Sequence, residues 1–199
     1  MSPNCNRYWL LCLGTALLLG GCAAIHSQKT GEAAAEQPLP ADYQQALQLM
    51  RDGDYAAAVP ALRSFSESHP ELAGPLVNLG IAYRRTGDSA AALETLDKAV
   101  ELNPDNAAAQ LQRGILQREA GDFRAALVAY DRALAVQPDY ALAHRNIGIL
   151  YDLYLQQPSR ALTHYKRYLE LLEEPDDTVS GWVIDLERRS MSARASAEP

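Results

Sequence analysis

A repeat of 34 residues constrains the fold of this chain more than any other feature of its sequence. Pro70, Pro104 and Pro138 are spaced at this interval. The same interval separates the members of three further sets: Gly80, Gly114 and Gly148; the Gly-Asp pairs at 53–54, 87–88 and 121–122; and Ala58, Ala92 and Ala126. A fixed period of this length is typical of a solenoid built from helix–turn–helix units.

Within each period, the residue types predict two helices joined by a tight turn. The Gly of each Gly-Asp pair permits the positive φ that ends one helix, and the Asp can cap the next helix. The proline at the end of the period cannot continue the preceding helix. Small residues such as Gly80 and Ala92 are expected where the two helices approach closely, with large residues such as Leu96 and Tyr130 between them. No alternating run of Val and Ile predicts a strand, so we expect an all-α fold.

These residues make the chain similar to the tetratricopeptide repeat family over residues 39–174. The resemblance implies a helix–turn–helix solenoid of about four repeats, at 39–72, 73–106, 107–140 and 141–174. Residues 175–189, with apolar side chains at helical spacing, are expected to form a capping helix that covers the last apolar face. Residues 190–199 are expected to be a disordered tail.

The fourth repeat departs from the pattern by one residue. Ala161 comes one position later than the period requires, and Leu155-Gln156-Gln157-Pro158 replaces the Gly-Asp turn. We therefore expect a longer turn there. Four tyrosines cluster around it and could either fill a wider gap between the helices or form a binding patch: Tyr151, Tyr154, Tyr165 and Tyr168.

The N-terminus has the features of an export signal and an anchor. Residues 1–21 contain one basic residue, Arg7, followed by an apolar stretch that is shorter than the roughly 20 residues of a membrane span. Leu19-Gly20-Gly21-Cys22 resembles the lipobox of bacterial lipoproteins, which implies cleavage before Cys22 and acylation of it with diacylglycerol and a fatty acid such as palmitate. An ordinary cleaved signal and an uncleaved anchor are the alternatives.

A lipid on Cys22 would determine where the protein works. Two or more acyl chains hold a protein stably on a bilayer, whereas one chain binds only marginally. Residues 22–38 would then be the lipidated Cys and a flexible tether. By resemblance to Gram-negative lipoproteins, Ala23 favours sorting to the outer membrane, with the repeats facing the periplasm.

The composition excludes several kinds of function. A net charge of −7 argues against general binding of nucleic acid, which needs a basic surface. All three cysteines lie in the first 22 residues, and the four histidines lack a metal-binding spacing, so we predict no metal site. The chain has no nucleotide-binding, hydrolase or metalloprotease motif. The sequence therefore predicts a protein that is not an enzyme, with no catalytic residue, cofactor or small-molecule substrate.

The resemblance implies a concave groove lined by the first helix of each repeat. Its predicted lining residues are Asn78, Ile81, Arg84, Arg85, Leu111, Ile115, Arg118, Arg145, Asn146 and Ile149. Asn78 and Asn146 match an Asn with which members of the family bind a ligand backbone. The arginines either attract an acidic segment of a partner or pack their stems on the surface with their charges in water.

The predicted function is that of a membrane-anchored scaffold or adaptor for protein–protein interaction. The partner would be an envelope protein or peptide, in the assembly or regulation of a pilus, secretion or energy-transduction machine of the periplasm or outer membrane. An adaptor for cell-wall hydrolases or proteases is the alternative, and an enzyme is the alternative of another class. Tyr43 and Leu47 stand where chaperone-binding members of the family carry Lys and Asn, which disfavours that kind of partner.

Overall fold

The computed structural model describes residues 39–197, and the side chains up to residue 192. The predicted signal peptide at 1–21, the proposed lipid attachment at Cys22 and the tether at 22–38 lie outside the described residues. In the part that is described, no helix is both long and apolar enough to cross a membrane.

The described residues form helices joined by short turns and contain no strand, so the predicted all-α solenoid is confirmed. Each helix packs against the next along the chain, and α3, α5 and α7 also contact one another in succession. The helices are α1 Ala41–Arg51, α2 Tyr55–Ser68, α3 Ala73–Thr86, α4 Ser89–Leu102, α5 Ala107–Glu119, α6 Phe123–Val136, α7 Ala141–Ile149, α8 Pro158–Glu170 and α9 Asp177–Ala197, with a π-helical turn, Leu150–Tyr154, after α7.

The Gly-Asp pairs end one helix and begin the next, as predicted. Gly53, Gly87 and Gly121 have φ angles of 80°, 90° and 83°. The side chain of the Asp that follows each glycine accepts a hydrogen bond from the N–H three residues ahead, at 3.0–3.1 Å. These bonds satisfy N–H groups that have no partner within the helix.

A glycine in the first helix lets the two helices of a repeat come close together. A Cβ atom added to Gly80 would lie 2.6 Å from Leu96 Cγ, and one added to Gly114 would lie 2.5 Å from Tyr130 Cε1. Leu96 and Tyr130 are fully buried. The missing side chain in α3 or α5 therefore makes room for a large residue of α4 or α6.

The fourth repeat places its extra residue within the helix and not in the turn. The Leu155 N–H donates to the Leu150 carbonyl five residues back, at 3.0 Å, which is the π-helical pattern. The turn to α8 then has three residues, like the turn between α5 and α6. The predicted longer turn is therefore wrong. Gln156, with φ of 52°, occupies the left-handed position that Gly121 holds one repeat earlier.

Helix α9 closes the C-terminal end of the solenoid. Its Val179, Val183 and Leu186 are buried in the same apolar cluster as α7 and α8. The helix extends to Ala197, so the prediction of a disordered tail from residue 190 is wrong for 190–197. Residues 182–197 contain no Gly or Pro, and Ala, Met and Arg are strong helix formers, so the sequence provides no stop.

Gly114→Ala tests whether close helix packing depends on glycine. The new methyl group would overlap the ring of Tyr130 and also approach the Ala126 carbonyl oxygen, 3.2 Å away. We expect the free energy of unfolding, measured by urea titration with circular dichroism, to fall by about 1–3 kcal/mol.

Gly74→Ala in α3 is the matched control. An added Cβ at Gly74 meets no atom within 4 Å, so this substitution should leave stability unchanged or raise it by up to about 1 kcal/mol. Equal effects of the two substitutions would show that helix propensity, and not packing against Tyr130, determines the glycine at 114.

Candidate functional site

Polar contacts connect the first helices of successive repeats along one face. Each contact joins residues 35 to 37 positions apart, which is one repeat plus one to three residues. The contacts are Asn78 Nδ2 to Tyr43 Oη (2.6 Å), Arg84 to Glu119 (3.0 Å), Arg118 to Tyr154 Oη (3.4 Å) and Arg189 to Asp152 (3.5 Å). These contacts follow a face formed by α1, α3, α5, the π-helical turn and α9. The predicted groove would lie along this face, and its role in binding stays a prediction.

The floor of the groove is an apolar strip with one isoleucine in each of three repeats. Ile81, Ile115 and Ile149 are each partly exposed and stand 34 residues apart. Leu111, predicted to line the groove, is only 1% exposed and lies in the core, so that part of the prediction is wrong. Leu111 is one helical turn before Ile115, on the side of α5 that packs against neighbouring helices.

The two predicted asparagines are engaged within the protein. Asn78 is partly exposed, and its amide nitrogen donates to the Tyr43 hydroxyl of the preceding repeat. Asn146 is buried, and its amide donates to the Leu142 carbonyl of its own helix at 2.8 Å. Asn78 therefore lies beside the open groove, whereas Asn146 belongs to the core of α7.

The predicted groove arginines contact aromatic rings or a carboxylate. Arg85 is exposed and its guanidinium lies 4.6 Å from the centre of the Tyr55 ring. The Arg118 guanidinium lies 5.8 Å from the Tyr154 ring, and Arg84 pairs with Glu119. Cations above a ring are held by its negative face. These contacts do not distinguish between the two alternatives for the arginines, so both stay predictions.

The Nε atoms of Arg84, Arg118 and Arg145 are buried and have no hydrogen-bond acceptor among the described residues. Because these atoms are not accessible from the surface, they do not by themselves indicate a ligand site.

Helix α9 covers the end of the groove at the fourth repeat. The Arg145 guanidinium lies 5.7 Å from the centre of the Trp182 ring of α9, and Asp152 faces Arg189. Arg145, predicted as a lining residue, is therefore in contact with α9.

The structure also brings together two histidines whose sequence positions gave no such indication. The Nδ1 atoms of His144 in α7 and His164 in α8 are 3.1 Å apart. Burial, with the nearby His144 as a smaller cause, lowers the pKa of His164 to about 4. The two histidines are 20 residues apart, with a turn between their helices. Only the geometry of the helical hairpin therefore shows that they are in contact. Among the described residues, no three His, Cys, Asp or Glu side chains are grouped around a possible metal position.

Comparison with known structures identifies the same fold in three bacterial proteins. A thermophilic TPR protein of Thermus thermophilus, TTC0263, is 25% identical, with a TM-score of 0.60 over 77% of this chain and 80% of that one. MamA from Desulfovibrio magneticus is 21% identical, with a TM-score of 0.64 over 79% of this chain and 88% of that one. PilF of Pseudomonas aeruginosa is 22% identical, with a TM-score of 0.68 over 78% and 71%. The last two likenesses show the fold alone.

Sequence profiles of known protein families also match this chain. Tetratricopeptide repeat profiles match residues 43–107 and 77–120, and a TPR repeat profile matches residues 116–153. No curated protein sequence matches the chain significantly. The profile matches together span residues 43–153, more than half of the chain, and their repeats coincide with the helical hairpins and the shared groove face. The chain therefore belongs to the tetratricopeptide repeat family, whose fold supports a role as a scaffold for protein–protein interaction.

Proposed function

We propose that the protein is a lipid-anchored scaffold of the bacterial envelope, and that its groove between α1 and α5 holds an acidic segment of a partner protein. The observation that carries the proposal is the strip of partly exposed isoleucines, Ile81 and Ile115, beside the arginines of α3 and α5.

The apolar strip suits a segment with regularly spaced apolar side chains. Neighbouring packed helices lie about 8–10 Å apart, so Ile81 and Ile115 present two apolar positions at roughly that distance. A partner helix offers side chains about 10.5 Å apart at positions i and i+7, and an extended strand covers about 10 Å in three residues. Either conformation can place an apolar side chain on each isoleucine.

The arginines give the groove a charge opposite to that of the whole chain. The net charge is −7, yet Arg84 and Arg85 are neighbours on α3, and Arg118 on α5 precedes Glu119, which contacts Arg84. Glu119 neutralises one of them, through its ion pair with Arg84. A partner segment with Asp or Glu would supply carboxylate acceptors for the remaining positive charge.

The lipobox-like sequence supports the envelope location in this proposal. A lipid on Cys22 would hold the protein at a membrane, and Ala23 favours the outer membrane, facing the periplasm. The 16 residues 23–38, if extended, reach at most about 55 Å, so the groove can work at a distance from the bilayer. A scaffold placed there suits a pilus, secretion or energy-transduction machine, in which components must be held beside the outer membrane.

Arg85→Glu tests the groove as the binding surface. Arg85 is exposed and lies over Tyr55, so charge reversal should cost little stability while repelling an acidic partner. We expect the amount of the main partner recovered by crosslinking and affinity purification from membranes to fall at least tenfold, which corresponds to about 1.4 kcal/mol.

Arg132→Glu is the matched control, because Arg132 is an exposed arginine on α6, the second helix of its repeat. It should recover the partner at the wild-type level. If both reversals reduce recovery equally, net charge is responsible and not the groove. If neither does while both proteins remain helical, the partner binds elsewhere.

Cys22→Ser tests the anchor independently of the groove. Without a thiol at position 22, no diacylglycerol can be attached. We expect the wild type to incorporate a palmitate analogue and to sediment with outer membranes, and the variant to do neither. Incorporation that persists in the variant, or that depends on Cys5 or Cys12 instead, would contradict the assignment of Cys22.

A further inference from the structure

A pair of histidines connects the two helices of the fourth repeat. His144 lies in α7 and His164 in α8; their Nδ1 atoms are 3.1 Å apart and their ring centres 5.3 Å apart. The pair is separate from the groove described above, and both side chains are partly buried.

The Nε2 atom of His144, the ring nitrogen farther from His164, determines how the ring is oriented. Nε2 of His144 lies 3.0 Å from the Pro138 carbonyl oxygen. A carbonyl only accepts hydrogen bonds, so Nε2 must carry the proton and donate it. The Nδ1 atom of neutral His144 is then unprotonated, with its lone pair on the side of His164. A histidine whose outer N–H is held by a backbone carbonyl is the usual arrangement for a metal ligand.

The Nδ1 atom of His164 is the ring nitrogen that faces Nδ1 of His144. In the absence of a metal, the short contact requires His164 Nδ1 to carry a proton and donate it to His144 Nδ1. Coordination would replace this bond: the proton leaves Nδ1 of His164 and Nε2 takes one up from water, so the ring stays neutral.

The separation of the two nitrogens matches that of neighbouring ligands on one ion. Two nitrogens at about 2.05 Å from a metal are about 2.9 Å apart at a right angle and about 3.3 Å apart at the tetrahedral angle. The observed 3.1 Å lies between these values.

The surroundings limit which ion would bind. No third His, Cys, Asp or Glu completes a cluster in the described part of the chain, so water would fill the other positions. Arg160, four residues before His164 on α8, is directed to Tyr151, with its guanidinium 5.4 Å from that ring. A site of two imidazoles and water suits Cu²⁺ and Ni²⁺, which favour nitrogen ligands and tetragonal geometry.

We propose that His144 and His164 together bind a late first-row divalent metal ion, of the Cu²⁺ or Ni²⁺ type, which joins α7 to α8. The sequence alone does not indicate this site, because positions 144 and 164 lack a metal-ligand spacing. Such an ion would stabilise the repeat in which the helix already departs from regular α-helical geometry.

Titration of the protein with Ni²⁺ tests the proposal, since Ni²⁺ does not oxidise cysteine thiols near the N-terminus. Isothermal titration and thermal melting are compared for the wild type, His144→Gln, His164→Gln and His69→Gln. His69, which stacks on Phe65, is the matched control because it is a partly buried histidine outside the pair. All variants keep the cysteines and His26, so binding there is the same in each.

We expect the wild type and His69→Gln to bind one more ion than the other two, and to melt at a higher temperature when Ni²⁺ is present. Removal of either His144 or His164 should weaken that site more than about tenfold. The use of two variants on different helices guards against a folding defect in one of them. If all four proteins bind Ni²⁺ alike, or if Ni²⁺ does not change the melting temperature of the wild type, the pair is only a hydrogen-bonded contact and the proposal is wrong.

Discussion

The contact between a glycine of one helix and a large side chain of the next determines the geometry of the second, third and fourth repeats. It is made three times, by Gly80 with Leu96, Gly114 with Tyr130 and Gly148 with Tyr165. Because close-packed interiors tolerate neither voids nor overlap, the contact fixes the distance between the two helices of each of these hairpins. Hairpins of the same shape then stack in the same way, and equivalent residues line up along one face. The groove is a consequence of this repetition.

The fourth repeat shows how strongly this packing determines the local backbone. It contains one residue more than the others, yet Gly148 still meets a large buried side chain, Tyr165. The extra residue is accommodated by the π-helical turn at Leu150–Tyr154, and Gln156 adopts a positive φ that glycine takes elsewhere. Both features cost free energy locally. The buried contact between α7 and α8 therefore outweighs the preferences of the chain between them.

The difference between the regular repeats and the fourth repeat explains which features the sequence could predict. The turns are local, since a Gly that ends a helix and an Asp that caps the next act within a few residues of each other. Ile81 and Ile115 were predicted to line the groove from the family resemblance, and both are partly exposed; their role in binding stays a prediction. Leu111 was misplaced because its burial depends on the rotation of α5 against its neighbours, and a residue one helical turn from the groove can face either way.

Two other features depended on distances that the sequence does not contain. The extra residue in the fourth repeat moves Tyr165 into the position that Tyr130 holds one repeat earlier, and so leaves His164 beside His144. Whether the extra residue lay in the turn or in the helix could not be determined from its presence alone. The end of α9 was placed too early because two arginines suit a helix end but do not terminate a helix, which requires Gly, Pro or a lost contact.

The central claim is that the protein works by holding a partner on the face where the first helices align. The most direct measurement is site-specific photocrosslinking in cells, with a benzophenone amino acid at position 115 on the groove floor or at position 128. Val128 is 49% exposed on α6 and is the control surface. The account predicts one dominant crosslinked protein from position 115, lost when Arg85→Glu is also present, and none from position 128. A dominant product from position 128, with none from 115, would contradict it.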